Sequence, residues 1–404
     1  MNDFHVFEQA ISSTLNDLGL VSLKKEQRQA VEAIVMNCRD VLGVLLTGFG
    51  KSLIFQVLPG VFDFMSRNLS KDRAIVLVVS SLNALMRDQI SKLNERGVSS
   101  FMVQGNLVRV EDSRGEEYRA SLPIEALKDP CCRILFLHPE VCVNDKTFFA
   151  LLKSPIYQRR VKCVVVDEAH LIKEWKNFRP AYGKLDVLSS VFPSIPHVAL
   201  TATFTRATQE FIKDSLKLNE AVVIQANPDR ENIFYESKVR PSSGEERVTA
   251  VLEPLAKELL EKKIRMPLTI VYGNLATCSD AFLYFSQFLA KSQYYPVGAE
   301  QASRNRLFAQ FHAEYPQHEK DRILAEIIQG VCKTRVLFVT VAFGIGVDIP
   351  DIRKVIHIGV PKTMEEYFQE TGRAGRDAKE AVATLYYNGR DIAKRKNPVD
   401  EVMR

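Results

Sequence analysis

The residues best suited to chemistry fall in two short stretches. Thr47-Gly48-Phe49-Gly50-Lys51-Ser52 joins a β-branched run to a helical stretch that begins at Leu53. A glycine turn between strand and helix points successive backbone N–H groups and the helix amino terminus at phosphate oxygens. In that setting Thr47, Gly48 and Gly50 line the phosphates, Lys51 reaches the β- and γ-phosphates, and the Ser52 hydroxyl ligates Mg²⁺. The second stretch, Asp167-Glu168-Ala169-His170, follows the apolar run 163–166, which sets a carboxylate at the carboxyl edge of a sheet beside such a loop. Asp167 is read as a Mg²⁺ ligand, and Glu168 as the group that orients and deprotonates an attacking water. Either stretch alone is explained by an ordinary turn; the pair in one domain implies chemistry on a nucleoside triphosphate.

Such residues need rigid carriers. Apolar runs at 40–46, 74–80, 133–139, 162–168 and 197–203 alternate with helix-like stretches such as 82–95. Continuous apolar strands separated by helices predict a parallel sheet covered on both faces. The polar, turn-rich stretch 227–246 is read as an inter-domain linker, because alternation restarts beyond it at 268–274, 335–343, 354–361 and 381–387. The predicted organisation is therefore a first α/β domain over 1–226, the linker, and a second over 247–404.

Composition agrees with this size. The chain has 404 residues, 46% apolar and 25% charged, which is ordinary globular usage and excludes disordered, collagen-like and coiled-coil classes. At roughly 150 residues per domain the length suits two or three domains. A formal net charge of +5 permits nucleic acid without requiring it. No apolar run approaches the ~20 residues that cross a bilayer, and the amino terminus lacks a secretory apolar segment. An intracellular protein without membrane attachment is expected. Seven cysteines with no C-x-x-C pair read as reduced thiols.

Near the end of the chain, Gln369-Glu370-Thr371-Gly372-Arg373-Ala374-Gly375-Arg376 follows a predicted strand. With the phosphate loop and the acidic box, this stretch resembles the arginine motif of superfamily 2 helicases. The resemblance implies that Arg376 is an arginine finger for the γ-phosphoryl group and Arg373 a neighbouring phosphate or relay contact. Further segments are similar to the RecQ family of DNA helicases. In Leu23-Lys24-Lys25-Glu26-Gln27, Gln27 stands where the family reads adenine. Ser81 to Gln89 resembles a strand-contacting motif, with Arg87 and Gln89 as contacts. Trp175, Phe178 and Arg179 follow the DEAH box as in the family's aromatic-rich loop, and Thr201-Ala202-Thr203 matches the motif linking nucleotide state to nucleic acid. His170, and Asp348 in the motif Ala342 to Asp348, fall on the nucleotide side.

The match runs from about Leu23 to Tyr387, with motifs in family order. It implies two tandem RecA-like domains, each a mostly parallel sheet with helices on both faces. It also implies an ATP- and Mg²⁺-dependent DNA helicase moving 3′ to 5′ on single-stranded and forked DNA. Nuclear location in a eukaryote, and roles in DNA repair and recombination, follow from the same resemblance. The rival readings are a DNA-stimulated ATPase that does not unwind robustly, and an RNA helicase. Departures from the family pattern are also present. The aromatic-rich loop is one residue short, with Lys176-Asn177 in place of Gly-His-Asp. Phe49 occupies a normally small position and must turn from the phosphates, and His138 stands where threonine is usual before Pro139-Glu140. The family's four-cysteine element is not seen before Arg404, so no zinc is expected.

Overall fold

The computed structural model describes residues 3–66, 72–80, 83–104, 121–124, 127, 132–175, 179–202, 205–227, 229–241, 246–340, 349 and 351–393. Internal contacts divide the chain into Met1–Pro228 and Asp229–Arg404.

The first unit is built on eight strands: β1 Val41–Val44, β2 Ile75–Val79, β3 Ser100–Gln104, β4 Ser121–Pro123, β5 Ile134–Leu137, β6 Val161–Val166, β7 His197–Thr201 and β8 Val222–Gln225. Their order is β4-β3-β5-β2-β6-β7-β1-β8, and every pairing is parallel. The strands read as unbroken apolar runs because their alternate residues feed two different cores. Val76 and Val78 of β2 join one cluster with helices Asp3–Asp17, Lys25–Val35 and Lys51–Ser66. Ile75, Leu77 and Val79 join the other, with the helices that follow β5 and β7. Phe55, fully buried in helix Lys51–Ser66, meets Phe136 of β5 edge to face at 6.2 Å. Truncating such a side chain typically costs ~3–5 kcal/mol, so the helix that carries Lys51 is firmly anchored to the sheet.

The second unit has six strands: β9 Ile233–Val239, β10 Leu268–Tyr272, β11 Phe308–Phe311, β12 Val336–Val339, β13 Ile352–Ile358 and β14 Ala381–Tyr387. The order is β11-β12-β10-β13-β14-β9, again all parallel. Ile270 and Val271 of β10 point into opposite clusters, so this sheet too is covered on both faces.

The stretch 227–246 is corrected by this topology. Residues Ile233–Val239 form β9 and pair along their whole length with β14, so the second unit starts well before 247. The misreading has a physical cause: β9 is an edge strand, and Glu236, Ser237 and Lys238 give it the polarity of a loop. Among the described cysteines, Cys38 is exposed, Cys132, Cys142, Cys163, Cys278 and Cys332 are buried, and all six are free thiols. No helix among the described residues is long and apolar enough to cross a membrane.

Candidate functional site

In a parallel sheet every strand delivers its following loop to the same edge. The loop after β1, the DEAH segment after β6 and the end of β7 therefore converge. Gly50 has φ +90°, and a Cβ there would meet the Gln27 Nε2 at 2.7 Å, so only glycine fits. Gln27 is spent on this loop. Its Nε2 donates to the carbonyls of Phe49 at 3.2 Å and Gly50 at 2.9 Å, while its Oε1 accepts from the Lys24 N–H at 2.8 Å. The residue expected to read adenine thus clamps the phosphate loop here. The Phe49 ring packs toward the first core with the Lys24 ammonium 4.3 Å above its centroid. Thr47 and Ser52 are half-buried in the same turn, Gly48 is exposed, and the Thr47 Oγ1 is buried without a hydrogen-bond partner.

Lys51 is 8% exposed, and its Nζ lies 3.6 Å from the Glu168 Oε1. Glu168 adopts φ +49°, a left-handed conformation that costs a non-glycine residue about 1–3 kcal/mol and is typically retained at functional sites. Its N–H donates to the Asp167 carboxylate at 3.0 Å. Its other oxygen lies 3.6 Å from the His170 Nδ1, which is itself 3.2 Å from the Thr201 Oγ1. One line of polar contacts therefore runs from the phosphate loop through the acidic box to the end of β7.

Burial, and then the neighbouring Glu168, push Asp167 well above the usual carboxylate range, with Lys51 opposing. The buried Asp167 and the adjacent, half-buried Glu168 facing one lysine, beside an unpartnered Thr47 hydroxyl, suit a divalent cation. Ser52 and Asp167 would hold Mg²⁺, with phosphate oxygens and water completing its shell. A pH prediction follows from the sign of the shift. A carboxyl raised in the fold above its ordinary 3.8 contributes stability below that value and loses it as pH rises through the folded pKa. Asp167→Asn should therefore gain melting temperature over the wild type at pH 8 relative to pH 5, both without nucleotide. Equal differences at the two pH values would contradict the shift.

Two residues assigned to nucleic acid prove to be internal. Gln89 is 5% exposed and its amide hydrogen-bonds the Asp167 carboxylate. Thr201 is fully buried, its hydroxyl turned to His170. Helix Asn83–Glu95 faces the sheet at Gln89, a registration that motif order alone did not reveal. Both residues link the nucleotide side to its surroundings from within. Arg87 is half-buried on the same helix. Trp175 is half-buried, set edge-to-face on Tyr182 at 5.9 Å, and Arg179 lies over both rings. Phe178, Thr203 and Asp348 lie outside the described residues.

In the second unit Arg373 is buried and Arg376 half-buried. The Arg373 guanidinium lies close enough to the Tyr272 hydroxyl for its charge to act on it, and Tyr272 stacks on His357 at 5.0 Å. His357 and Glu370 are joined at 2.8 Å. Gly375 has φ +58°, and a Cβ there would collide with the Asn232 side chain. Sequence reasoning missed the residues that hold this turn. Arg230 donates to the Gly375 carbonyl at 2.8 Å, and Asn232 donates to the carbonyls of Gly375 and Lys379, both at 2.8 Å. No pattern in the sequence marks them, because the turn they hold lies far along the chain.

Comparison with known proteins agrees with this arrangement. Residues 24–211 match the DEAD/DEAH box helicase model, and residues 257–378 match the helicase conserved C-terminal domain. The chain is 30% identical over 376 residues to a putative ATP-dependent DNA helicase Q1 of Caenorhabditis elegans, covering 93% of this chain and 53% of that protein. It is also 30% identical over 400 residues to the ATP-dependent DNA helicase RecQ of Pasteurella multocida, covering 97% and 54% respectively. The chain thus spans about half the length of these curated relatives. A solved structure of the helicase MrfA bound to DNA and AMPPNP is similar in fold, with a TM-score of 0.72 at 18% identity, covering 98% of this chain and 51% of that one. Both units are RecA-like α/β domains, and with the two helicase models in this order the chain belongs to the RecQ family of superfamily 2, whose helicase core it carries.

Proposed function

We propose that the chain is an ATP-driven DNA helicase or translocase that moves 3′ to 5′ along single-stranded DNA and opens forked duplexes. The observation that carries the reading is the line of contacts Lys51, Glu168, His170, Thr201, which joins the phosphate loop to the end of β7. The DNA helicase relatives support DNA as the substrate.

Lys51 neutralises the β- and γ-phosphates, and the backbone N–H groups of the loop receive their oxygens. Ser52 and Asp167 would hold Mg²⁺, which would supply further neutralisation of phosphate charge. Glu168, held in its left-handed turn, orients a water for attack and accepts its proton. Asp167 is kept in place by the Gln89 amide and the Glu168 N–H. Arg376 counters charge developing on the γ-phosphoryl oxygens, and Arg373 supports it. Gln27 exchanges its loop carbonyls for the adenine edge when nucleotide enters, so base recognition and loop release become one event. Trp175 and Arg87 contact the strand, whose recognition needs stacking and phosphate contacts but no base readout.

Trp175→Ala tests the coupling. Base stacking is worth ~1–3 kcal/mol, so strand affinity should fall by roughly ten- to a hundredfold at most. ATP turnover at saturating single-stranded DNA should stay below wild type while the basal rate holds. Full stimulation at saturation would show that Trp175 only packs against Tyr182. Direction and unwinding are tested together by strand displacement from partial duplexes with a 3′ or a 5′ overhang. The reading requires ATP-dependent displacement from the 3′-overhang substrate; displacement from the 5′ substrate instead would reverse the polarity. ATP hydrolysis without displacement on either would favour an ATP-gated binding module.

A further inference from the structure

His138 is the least satisfied side chain at the carboxyl edge of the first sheet. It follows β5, is 3% exposed, and has no hydrogen-bond partner at either ring nitrogen. A buried polar group left unmatched is destabilising. Burial, with Arg179 acting the same way and Glu140 opposing, lowers its pKa to about 4, so the ring is neutral near pH 7. Glu140 and Arg179 are the charged groups whose fields reach it, one from helix Pro139–Asn144 and the other from the start of the turn Pro180–Lys184.

Those two groups are bound to each other. The Arg179 Nε and Nη2 donate to the two Glu140 oxygens at 2.8 and 2.6 Å. About a fifth of each side chain still reaches solvent, 20% for Arg179 and 23% for Glu140. The guanidinium also lies 5.6 Å from the Trp175 ring and 5.3 Å from the Tyr182 ring. A guanidinium fork fits a phosphate as well as a carboxylate, so Arg179 is placed to exchange one for the other.

We propose that His138 is a positioning residue that takes up a proton when a nucleic-acid phosphate draws Arg179 from Glu140, its imidazolium then replacing the guanidinium beside the Glu140 carboxylate. The inference rests on reading Arg179 as a strand contact. Once Arg179 leaves, the partly buried carboxylate lacks its counter-charge, a costly state unless another cation arrives. The same departure removes one of the two effects that keep the ring uncharged and leaves the Glu140 field that favours the charge, so the His138 pKa rises, with burial still opposing. The proton comes from solvent and no covalent bond changes. The empty valences of the ring are then a reserve used in the bound state. Threonine at this position could not titrate.

The experiment is calorimetric titration of the intact chain with a single-stranded oligothymidylate at pH 6.0 and pH 8.0, in buffers of different ionisation enthalpy. With a free pKa of about 4 and a higher one in the complex, a fraction of a proton should enter per bound strand at pH 6.0 and nearly none at pH 8.0. Wild-type affinity should fall more than that of His138→Gln over this interval, by the same linkage. His138→Gln and, as a second variant, Glu140→Gln should abolish the uptake, with thermal melts reporting their folding. Strand binding by the wild type without proton uptake at pH 6.0 would overturn the proposal and leave the strand reading intact. Uptake that persists in folded His138→Gln would also overturn it, placing the proton elsewhere. Failure of the wild type to bind the strand at either pH would instead remove the strand reading on which the proposal stands.

Discussion

Lys51→Ala and Glu168→Gln are expected to abolish ATP turnover, each by ~10³-fold or more, for different reasons. General-base assistance by a positioned carboxylate is worth ~10²–10⁴-fold, and glutamine keeps the shape of Glu168 without its basicity. The Glu168→Gln protein should also relieve the like-charge repulsion that raises Asp167, because Glu168 is the neighbour acting on it. It should therefore fold at least as well as wild type and still bind ATP. Lys51→Ala removes phosphate neutralisation and leaves Asp167 and Glu168 without the lysine that opposes their repulsion. Its melting temperature without Mg²⁺ should fall as well, since a buried charge that loses its partner is costly. Nucleotide binding, turnover and thermal melts of the two proteins separate these effects. Turnover within tenfold of wild type in Glu168→Gln would move the base elsewhere.

Arg376→Ala is the second large expected effect. Arginine fingers contribute ~10³–10⁵-fold to phosphoryl transfer, because the guanidinium meets charge that develops only in the transition state. ATP affinity should therefore change little while turnover falls by at least ~10³-fold. The two arginines of the motif are distinguished by their surroundings. Arg373 is buried against Tyr272, so Arg373→Ala should lower the melting temperature as well as the rate. Arg376 is only half-buried, and its removal should leave the melt unchanged. Near-normal turnover in a folded Arg376→Ala protein would shift the finger to Arg373 or remove it from the motif.

Residue pattern alone anticipated the central strands because their physics is unambiguous. Strands such as Ile75–Val79 are buried on both faces, so the whole run must be apolar and contrasts with its flanks. The edge and outer strands escaped for the converse reason. Ser100–Gln104, Val222–Gln225 and Phe308–Phe311 are short and include polar residues, and β9 looks like a linker until β14 is seen beside it. At the site, the phosphate loop and the DEAH segment were recognisable because glycines, a lysine and paired carboxylates must sit at fixed spacings. Contacts formed by distant segments were not recognisable in that way. Gln89 turning inward to Asp167, Gln27 clasping Gly50, and Arg230 with Asn232 supporting the arginine turn depend on helix orientation and loop return. The orphaned ring of His138 likewise emerges only from packing, although its unusual residue type was visible at once.

The most direct test of the account is steady-state ATP hydrolysis by the intact chain with Mg²⁺ as single-stranded DNA is added. The account predicts a low basal rate that rises saturably with DNA, requires Mg²⁺, and is absent from Glu168→Gln at every DNA concentration. A folded wild-type protein whose hydrolysis ignored DNA, or whose DNA-stimulated rate survived in Glu168→Gln, would contradict it.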